Sequence, residues 1–440
     1  MKKKIVCHII GLLLAGVLFG CSGRQQETLS GETEGAAQGT VSEGEKESED
    51  KEAGADDETD EMKGAPKESD VQAAEENMES WQRLLTSPEE GPEKKLMEDI
   101  YGDYQEKGGE IAFVLDGAIM DGNYNEAIYK GIQMYAFSAG VSFSYYIADG
   151  NQPQGYQEVI ERAVSNQAKV IVCGGDGFEK AVGSMQNEYP EVCFLLIDGI
   201  PEDEFGKAVD IEDNVHCISF EEEESGYMAG YLTVFDGYRS LGFIGGKKAP
   251  SVIRYGYGYL QGIEDAVKDL ELSNVTVNYW YADSYEPNEE IKDTALAWYG
   301  EGTEVIFACG GLLYQSVLAA AEEEDGLLIG VDVDQSALSD RFLTSAVKDI
   351  ANAVIISLDD FYATGKEWSY DFAGEAVRYS MEENCTGIPI YDTEWRFKAI
   401  TMERFSELRK KIKLGEASIS DDIDVQPQVS FTLNMYGPED

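Results

Sequence analysis

From Ile111 onward, short apolar runs alternate with longer amphipathic ones, and that rhythm predicts most of the elements. IAFV (111–114) precedes a helical pattern over 124–138, SFSYYI (142–147) one over 154–165, and VIVC (170–173) one over 179–188. CFLLID (193–198) and VHCISF (215–220) follow, the latter leading into a helix over 221–235. Continuous short apolar runs are what strands covered on both faces require, and strand–helix repeats at this spacing build parallel sheets.

A second series has the same layout. LGFIGG (241–246) precedes a helix over 253–267, VTVNYW (275–280) one over 288–299, and VIFACGG (305–311) one over 314–323. LLIGVD (327–332) and FLTSAV (342–347) come next, then a helix over 350–362. The expected fold class is therefore α/β, with a first lobe at 108–236 and a second at 237–363. Crossings are expected at 235–241 and after Tyr362, with 364–414 returning to the first lobe, a last helix over 395–412, and an acidic tail at 415–440.

The strand exits are the chemical places: Asp116, Gly174–Gly175–Asp176, Asp198, Gly245–Gly246, Gly310–Gly311 and Asp332. In open α/β sheets, ligands bind beyond the carboxyl ends of the strands, so two such edges facing one another enclose a cleft. Tyr124, Ile128, Ile132 and Tyr135 recur at helical spacing and face the sheet, which leaves Tyr124 either core or a stacking platform at the cleft mouth. Ionised aspartates accept hydrogen bonds strongly and suit ligand hydroxyls.

The chain ahead of Ile111 has another texture. MKKK followed by IVCHIIGLLLAGVLFG reads as a signal peptide over residues 1–20. Residues 21–90 are rich in Glu, Gly, Ser and Thr, too poor in large apolar residues to offset ordering entropy, and are expected to form a disordered, charge-extended tether. A short helix is expected to begin within 91–108, around Leu96, Met97 and Ile100. At 440 residues the chain is too long for one core, and a net charge of -51 argues against nucleic-acid binding.

Catalytic chemistry has little material. His8 falls in the signal, and His216 in VHCIS reads as a satisfied histidine beside a strand. Cys173, Cys193, Cys217 and Cys309 lie in or beside apolar runs and read as buried thiols, with no zinc-ligand spacing. No dinucleotide fingerprint, phosphate-binding loop or nucleophile elbow is present. No catalytic residue, cofactor or metal is assigned.

Leu18-Phe19-Gly20-Cys21 resembles the lipobox of bacterial lipoproteins, which implies cleavage before Cys21 and acylation of its thiol. The folded part resembles the basic membrane protein family of substrate-binding lipoproteins, which serve ATP-driven import and whose characterised members bind purine nucleosides. The resemblance covers 111–363 and continues weakly to 414; it rests on several motifs in order. They are the opening motif at 116–125, ISFEEEESGYMAGY (218–231), LGFIGGKKAPSVIRYGYGYLQG (241–262), VIFACGG, LLIGVDVDQ and LTSAVKD (343–349).

The resemblance implies a two-lobed type I periplasmic-binding-protein (venus-flytrap) fold and a set of ligand-binding residues. Asp116 is similar to an aspartate that bonds the nucleoside, Tyr124 to a base-stacking phenylalanine, and Asn125 to its adjacent amide. Tyr255 corresponds to a second stacking phenylalanine, Gly310 or Gly311 to a site glycine, Asp332 to a sugar-binding aspartate, and Lys348 to the lysine of LTS-x-x-K. A further acidic residue is either Asp176 or Glu179. Two departures stand out: the opening motif is one residue short, and both stacking phenylalanines are tyrosines. A plainer role for Lys348 is a salt bridge to Asp332.

The expected function is capture of a purine nucleoside, or a similar ring-bearing polar ligand, by a monomeric lipid-anchored receptor. Its expected partners are permease and ATPase subunits of an ABC importer. Alternatives on the same scaffold are a sensor lipoprotein with a non-transporter partner and a nucleoside hydrolase using carboxylates.

Overall fold

The computed structural model describes residues 104–437 apart from Met120, 151–153, Asp176 and 391–394. The signal peptide, Cys21, the acidic linker, Asp176 and all but the end of the 91–108 segment lie outside the described residues. Where that segment enters view it is not helical: Gln105 bridges to Tyr145, and Tyr104 stacks on Phe143.

The first sheet holds β1 (Ile111–Leu115), β2 (Phe143–Ile147), β3 (Val170–Gly174), β4 (Cys193–Ile197) and β5 (Val215–Phe220). They alternate with α1 (Tyr124–Ala139), α2 (Gly155–Ser165) and α3 (Glu179–Glu188). After α4 (Glu222–Phe235), the second sheet takes β6 (Ser240–Gly245), β7 (Thr276–Tyr281), β8 (Val305–Cys309), β9 (Leu327–Asp332) and β10 (Phe342–Lys348). Between these lie α5 (Pro250–Asp269), α6 (Glu289–Gly300) and α7 (Tyr314–Glu324). Next come α8 (Ile350–Ala363), β11 (Ala376–Tyr379), β12 (Thr386–Gly387), α9 (Met402–Lys413) and β13 (Thr432–Tyr436).

The strand orders are β11-β5-β4-β3-β1-β2 and β12-β10-β9-β8-β6-β7-β13, so the two sheets repeat one plan. All pairings are parallel except β10 with β12. Side chains alternate across each strand into separate cores. In β1, Ile111, Phe113 and Leu115 enter one core, and Ala112 and Val114 the other. In β8, Val305, Phe307 and Cys309 face one way, and Ile306 and Ala308 the other. Burying both faces is why these runs carry no polar alternation.

The crossings between lobes fall one helix earlier than the sequence predicts. α4 follows β5 of the first sheet yet packs on α5 of the second lobe. A Cβ on Gly226, Gly230, Gly258 or Gly262 would land on the backbone of the facing helix, so these glycines let the two axes approach closely. α8 does the converse. It follows β10 of the second sheet and packs on α1, where a Cβ at Gly131 would meet the carbonyl oxygen of Ala351 at 2.7 Å. The crossings therefore lie at Glu221 and Asp349, and a third runs between β11 and β12. Asp349 also caps α8, accepting from the Asn352 amide at 3.0 Å.

The C-terminal stretch is shared between the lobes and does not return to the first alone. β11 pairs with β5, whereas Met402, Phe405, Leu408 and Ile412 of α9 enter the core of the second lobe. The last helix starts at Met402, capped by Thr401, because Trp395 and Phe397 pack as an irregular aromatic cluster with Phe405. The region expected to be a tail contributes β13, a parallel partner of β7.

Candidate functional site

In each sheet the chain order reverses at one place, between β1 and β3 and between β6 and β8. Crevices at such switch points are the usual ligand positions. In the first lobe the crevice edge is the loop from β1 to α1, and Asp121 organises it. Its Oδ1 accepts from the amides of Asn123 (2.8 Å) and Glu126 (3.1 Å), and its Oδ2 from that of Asn125 (2.9 Å). Asp121 thus satisfies the free N–H groups of α1 from outside the usual cap position. Asn125 braces the same loop, its Nδ2 donating to the carbonyls of Asp116 and Ala118, both at 3.1 Å.

Lys348, the last residue of β10, is the centre of the contact between lobes. Its side chain is 4% exposed, and the ammonium lies 2.6 Å from Asp198, 3.5 Å from Glu222 and 3.7 Å from Asp332. Asp198 belongs to the exit of β4 in the first lobe. Arg254 of α5 supplies a second cation, its Nε donating to Glu222 at 2.6 Å. Burial alone would lower the Lys348 pKa, but Asp198, then Asp332 and Glu222, hold it above the ordinary lysine range. Burial pushes the Asp332 carboxyl up to about 6, against the pull of Lys348 and with the push of Asp198 and Glu222. Buried charges persist only when compensated in this way.

The tyrosines take different parts. Tyr124 opens α1, half-buried; its hydroxyl donates to the carbonyl of Ile197 at 3.4 Å, and the Lys348 ammonium lies 5.5 Å from its ring centre. Tyr255 is 1% exposed. Its ring meets Phe307 edge-on at 6.0 Å, and its hydroxyl donates to Asp332 Oδ1 at 3.3 Å. The expected second stacking face is therefore enclosed in the core of its own lobe in this conformation, because the added hydroxyl finds its partner in Asp332.

The remaining expected residues also have places. Asp116 follows β1, and its Oδ2 accepts from the Tyr156 hydroxyl at 2.6 Å. Glu179 starts α3 and packs beneath Gly199, on the loop that follows Asp198. Gly310 and Gly311 have φ of 131° and 51°, and Tyr285 lies across them and Gly246 so closely that a Cβ on any of the three would meet it at 3.0 Å or less. The Gly311 carbonyl accepts from Asn123 Nδ2 at 3.2 Å, a second bond across the lobes.

Asp198, Glu222, Arg254, Asn123, Tyr156 and Tyr285 join this neighbourhood without having been assigned to it from the sequence. The strand-exit rule marks Asp198. Glu222 lies in a run of four glutamates that looks solvated on paper, and its burial follows from the position of α4 between the lobes.

A profile described as ABC transporter substrate-binding protein PnrA-like matches residues 109–425. Basic membrane protein B of Borreliella burgdorferi is 26% identical over 285 residues, covering 63% of this chain and 80% of that protein. The ABC transporter nucleoside-binding protein BmpA of Lactococcus lactis is 25% identical over 260 residues, covering 56% and 69%. Among solved structures, an ABC transporter solute-binding protein from Aeropyrum pernix superimposes with a TM-score of 0.58 at 20% identity, covering 72% of this chain and 94% of that one. The fold is thus the two-lobed periplasmic-binding-protein fold, with parallel sheets flanked by helices.

Proposed function

Because the chain belongs to the PnrA-like family of ABC transporter substrate-binding proteins, we propose that it captures a purine nucleoside or a closely related ring compound between its lobes. As a member it is an extracytoplasmic solute-binding component of an ABC import system, with permease and ATPase subunits as partners. The observation that carries the ligand reading is the meeting of the two sheet edges around Lys348, with Tyr124 of the first lobe beside it. An aromatic face, an ammonium and several carboxylates at one lobe junction suit a planar, hydrogen-bonding solute. The likeness to a nucleoside-binding relative supports the same class.

In this reading Tyr124 stacks on the ring, while Asp116 and Asn125 shape the first lobe's wall. Glu179, or Asp176 in its stead, supplies a further acidic contact, and Gly310, Gly311, Asp332 and Lys348 form the opposing wall. Tyr255 positions Asp332. Ligand favours the closed state by hinge motion at the three crossings, and that state docks on the permease. The thiol of Cys21 carries lipid and holds the protein at the membrane surface.

Calorimetric titration with adenosine, guanosine, inosine, cytidine and uridine tests the ligand class. Heat and a thermal shift with the purines are expected; silence with all of them would reject it. Mass spectrometry of the membrane-extracted N-terminal peptide tests the lipid, and an unmodified Cys21 would reject the anchor.

A further inference from the structure

The two aspartates expected to hold a nucleoside already have donors from within the protein. Asp116 Oδ2 accepts from the Tyr156 hydroxyl at 2.6 Å, and Asp332 Oδ1 from the Tyr255 hydroxyl at 3.3 Å. Tyr255 is sealed in the core, so its hydroxyl has no solvent to turn to if a ligand displaces it.

Among the described residues, three other acceptors at the lobe junction are buried with no hydrogen-bond partner: Asp198 Oδ1, Asn123 Oδ1 and Glu222 Oε1, the last lying 3.5 Å from the Lys348 ammonium. Asp198 commits Oδ2 to Lys348, and Asn123 commits Nδ2 to the carbonyl of Gly311. Asp198 and Asn123 are neighbours through Tyr124. Asn123 precedes Tyr124 in the chain, and the Tyr124 hydroxyl donates to the carbonyl of Ile197, the residue before Asp198. An unpaired buried acceptor is unfavourable until a donor arrives, and two beside one aromatic ring mark where a ligand's N–H or O–H groups belong.

We propose that Asp198 and Asn123 read the hydrogen-bond donors of the bound ring compound, and that the Tyr255 hydroxyl occupies Oδ1 of Asp332, one of the two oxygens that a bidentate grip on a ribose diol would need. Tyr255 is then a specificity-determining residue: it makes the site indifferent to the 2′- and 3′-hydroxyls. This rests on the reading of the cleft as a purine-type site and deepens it by naming what the site ignores.

The test compares inosine with 2′,3′-dideoxyinosine, which keeps the base and lacks the diol, by calorimetry on the wild-type chain and on Tyr255→Phe and Asp198→Asn. The wild type is expected to bind the two within about three-fold of one another, and Tyr255→Phe to favour inosine by about ten-fold, one hydrogen bond's worth. Asp198→Asn is expected to weaken both by about ten-fold or more while its melting curve stays cooperative. A wild-type preference for inosine of about ten-fold, or no gain in Tyr255→Phe, would overturn the proposal and leave the purine reading standing. No binding of inosine, dideoxyinosine or hypoxanthine would overturn the purine reading, and the proposal with it.

Discussion

Asp198 and Asp332 occupy equivalent exits of β4 and β9, and both point a carboxylate at the ammonium of Lys348, at 2.6 and 3.7 Å. Both adopt left-handed backbone conformations, with φ of 60° and 66°, which aspartate tolerates better than most residues. The repeated plan of the sheets thus brings one carboxylate from each lobe to a single cation.

Lys348→Met keeps the aliphatic stem and removes that cation. At pH 7.5 it is expected to cost about 3–5 kcal/mol, because Asp198, Glu222 and Asp332 are left together with Arg254 as the one remaining cation described there. The loss should shrink at pH 5.5, where Asp332, already pushed up to about 6, takes a proton. Urea denaturation at both pH values measures this, and equal losses would contradict it.

The crossings carry buried carboxyls with a pH signature. Burial pushes Glu223, Glu224 and Asp349 each up to about 7; Arg378 opposes this at Glu223, the Thr386 and Met381 bonds at Glu224, and the Asn352 amide at Asp349. The folded chain therefore holds protons that the unfolded chain has released. Their stabilising contribution is complete below about pH 4 and is lost as pH rises through 7. His216, held down to about 4 by burial, acts in the opposite direction but only between about pH 4 and 6.5. The melting temperature is expected to fall from pH 6.5 to 8. Glu224→Gln and Asp349→Asn, which keep an acceptor in place, should each remove about 1 kcal/mol of that slope. Melting curves that do not differ from wild type in slope would reject the assignment.

Helix glycines separate into two classes. Gly226→Ala or Gly258→Ala places a methyl group on the backbone of the facing helix and is expected to cost about 1–3 kcal/mol. Gly300→Ala meets nothing within 4 Å and should be neutral or stabilising by up to about 1 kcal/mol. Guanidinium denaturation of the three variants checks the order.

Arg378 of β11 forks onto Glu223 at 2.7 and 3.0 Å and also reaches Asp421 at 2.6 Å. Glu223 is buried, whereas the Asp421 side chain is 62% exposed. Arg378→Ala is therefore expected to cost about 2 kcal/mol or more, and Asp421→Ala about 0–1 kcal/mol. A double-mutant cycle with Glu223→Gln should return most of the Arg378 effect as coupling; independent losses would show that the ion pair is not its source.

Strands such as IAFV and VIFACGG were legible because burial on both faces leaves an uninterrupted apolar run. The crossings were not, because the lobe that α4 joins depends on Gly226 and Gly230 meeting Gly258 and Gly262, a match between distant segments. For the same reason Asp116, Asp332 and Lys348 could be singled out, while the capture of Tyr255's hydroxyl by Asp332 and of Lys348 by Asp198 could not: each pairing joins residues far apart in the chain. Tyr124, ambiguous by spacing, is half-buried at the lobe junction, with its hydroxyl on the Ile197 carbonyl and its ring beside Lys348.

The late strands impose an order on assembly. β5 gains its outer neighbour only when 376–379 is available, and β7 only when 432–436 is. Until then β5 and β7 stand uncovered on that side, and covering them joins segments distant in the chain, which is slow. A growing chain therefore cannot complete the first sheet before 376–379 emerges, nor the second before 432–436.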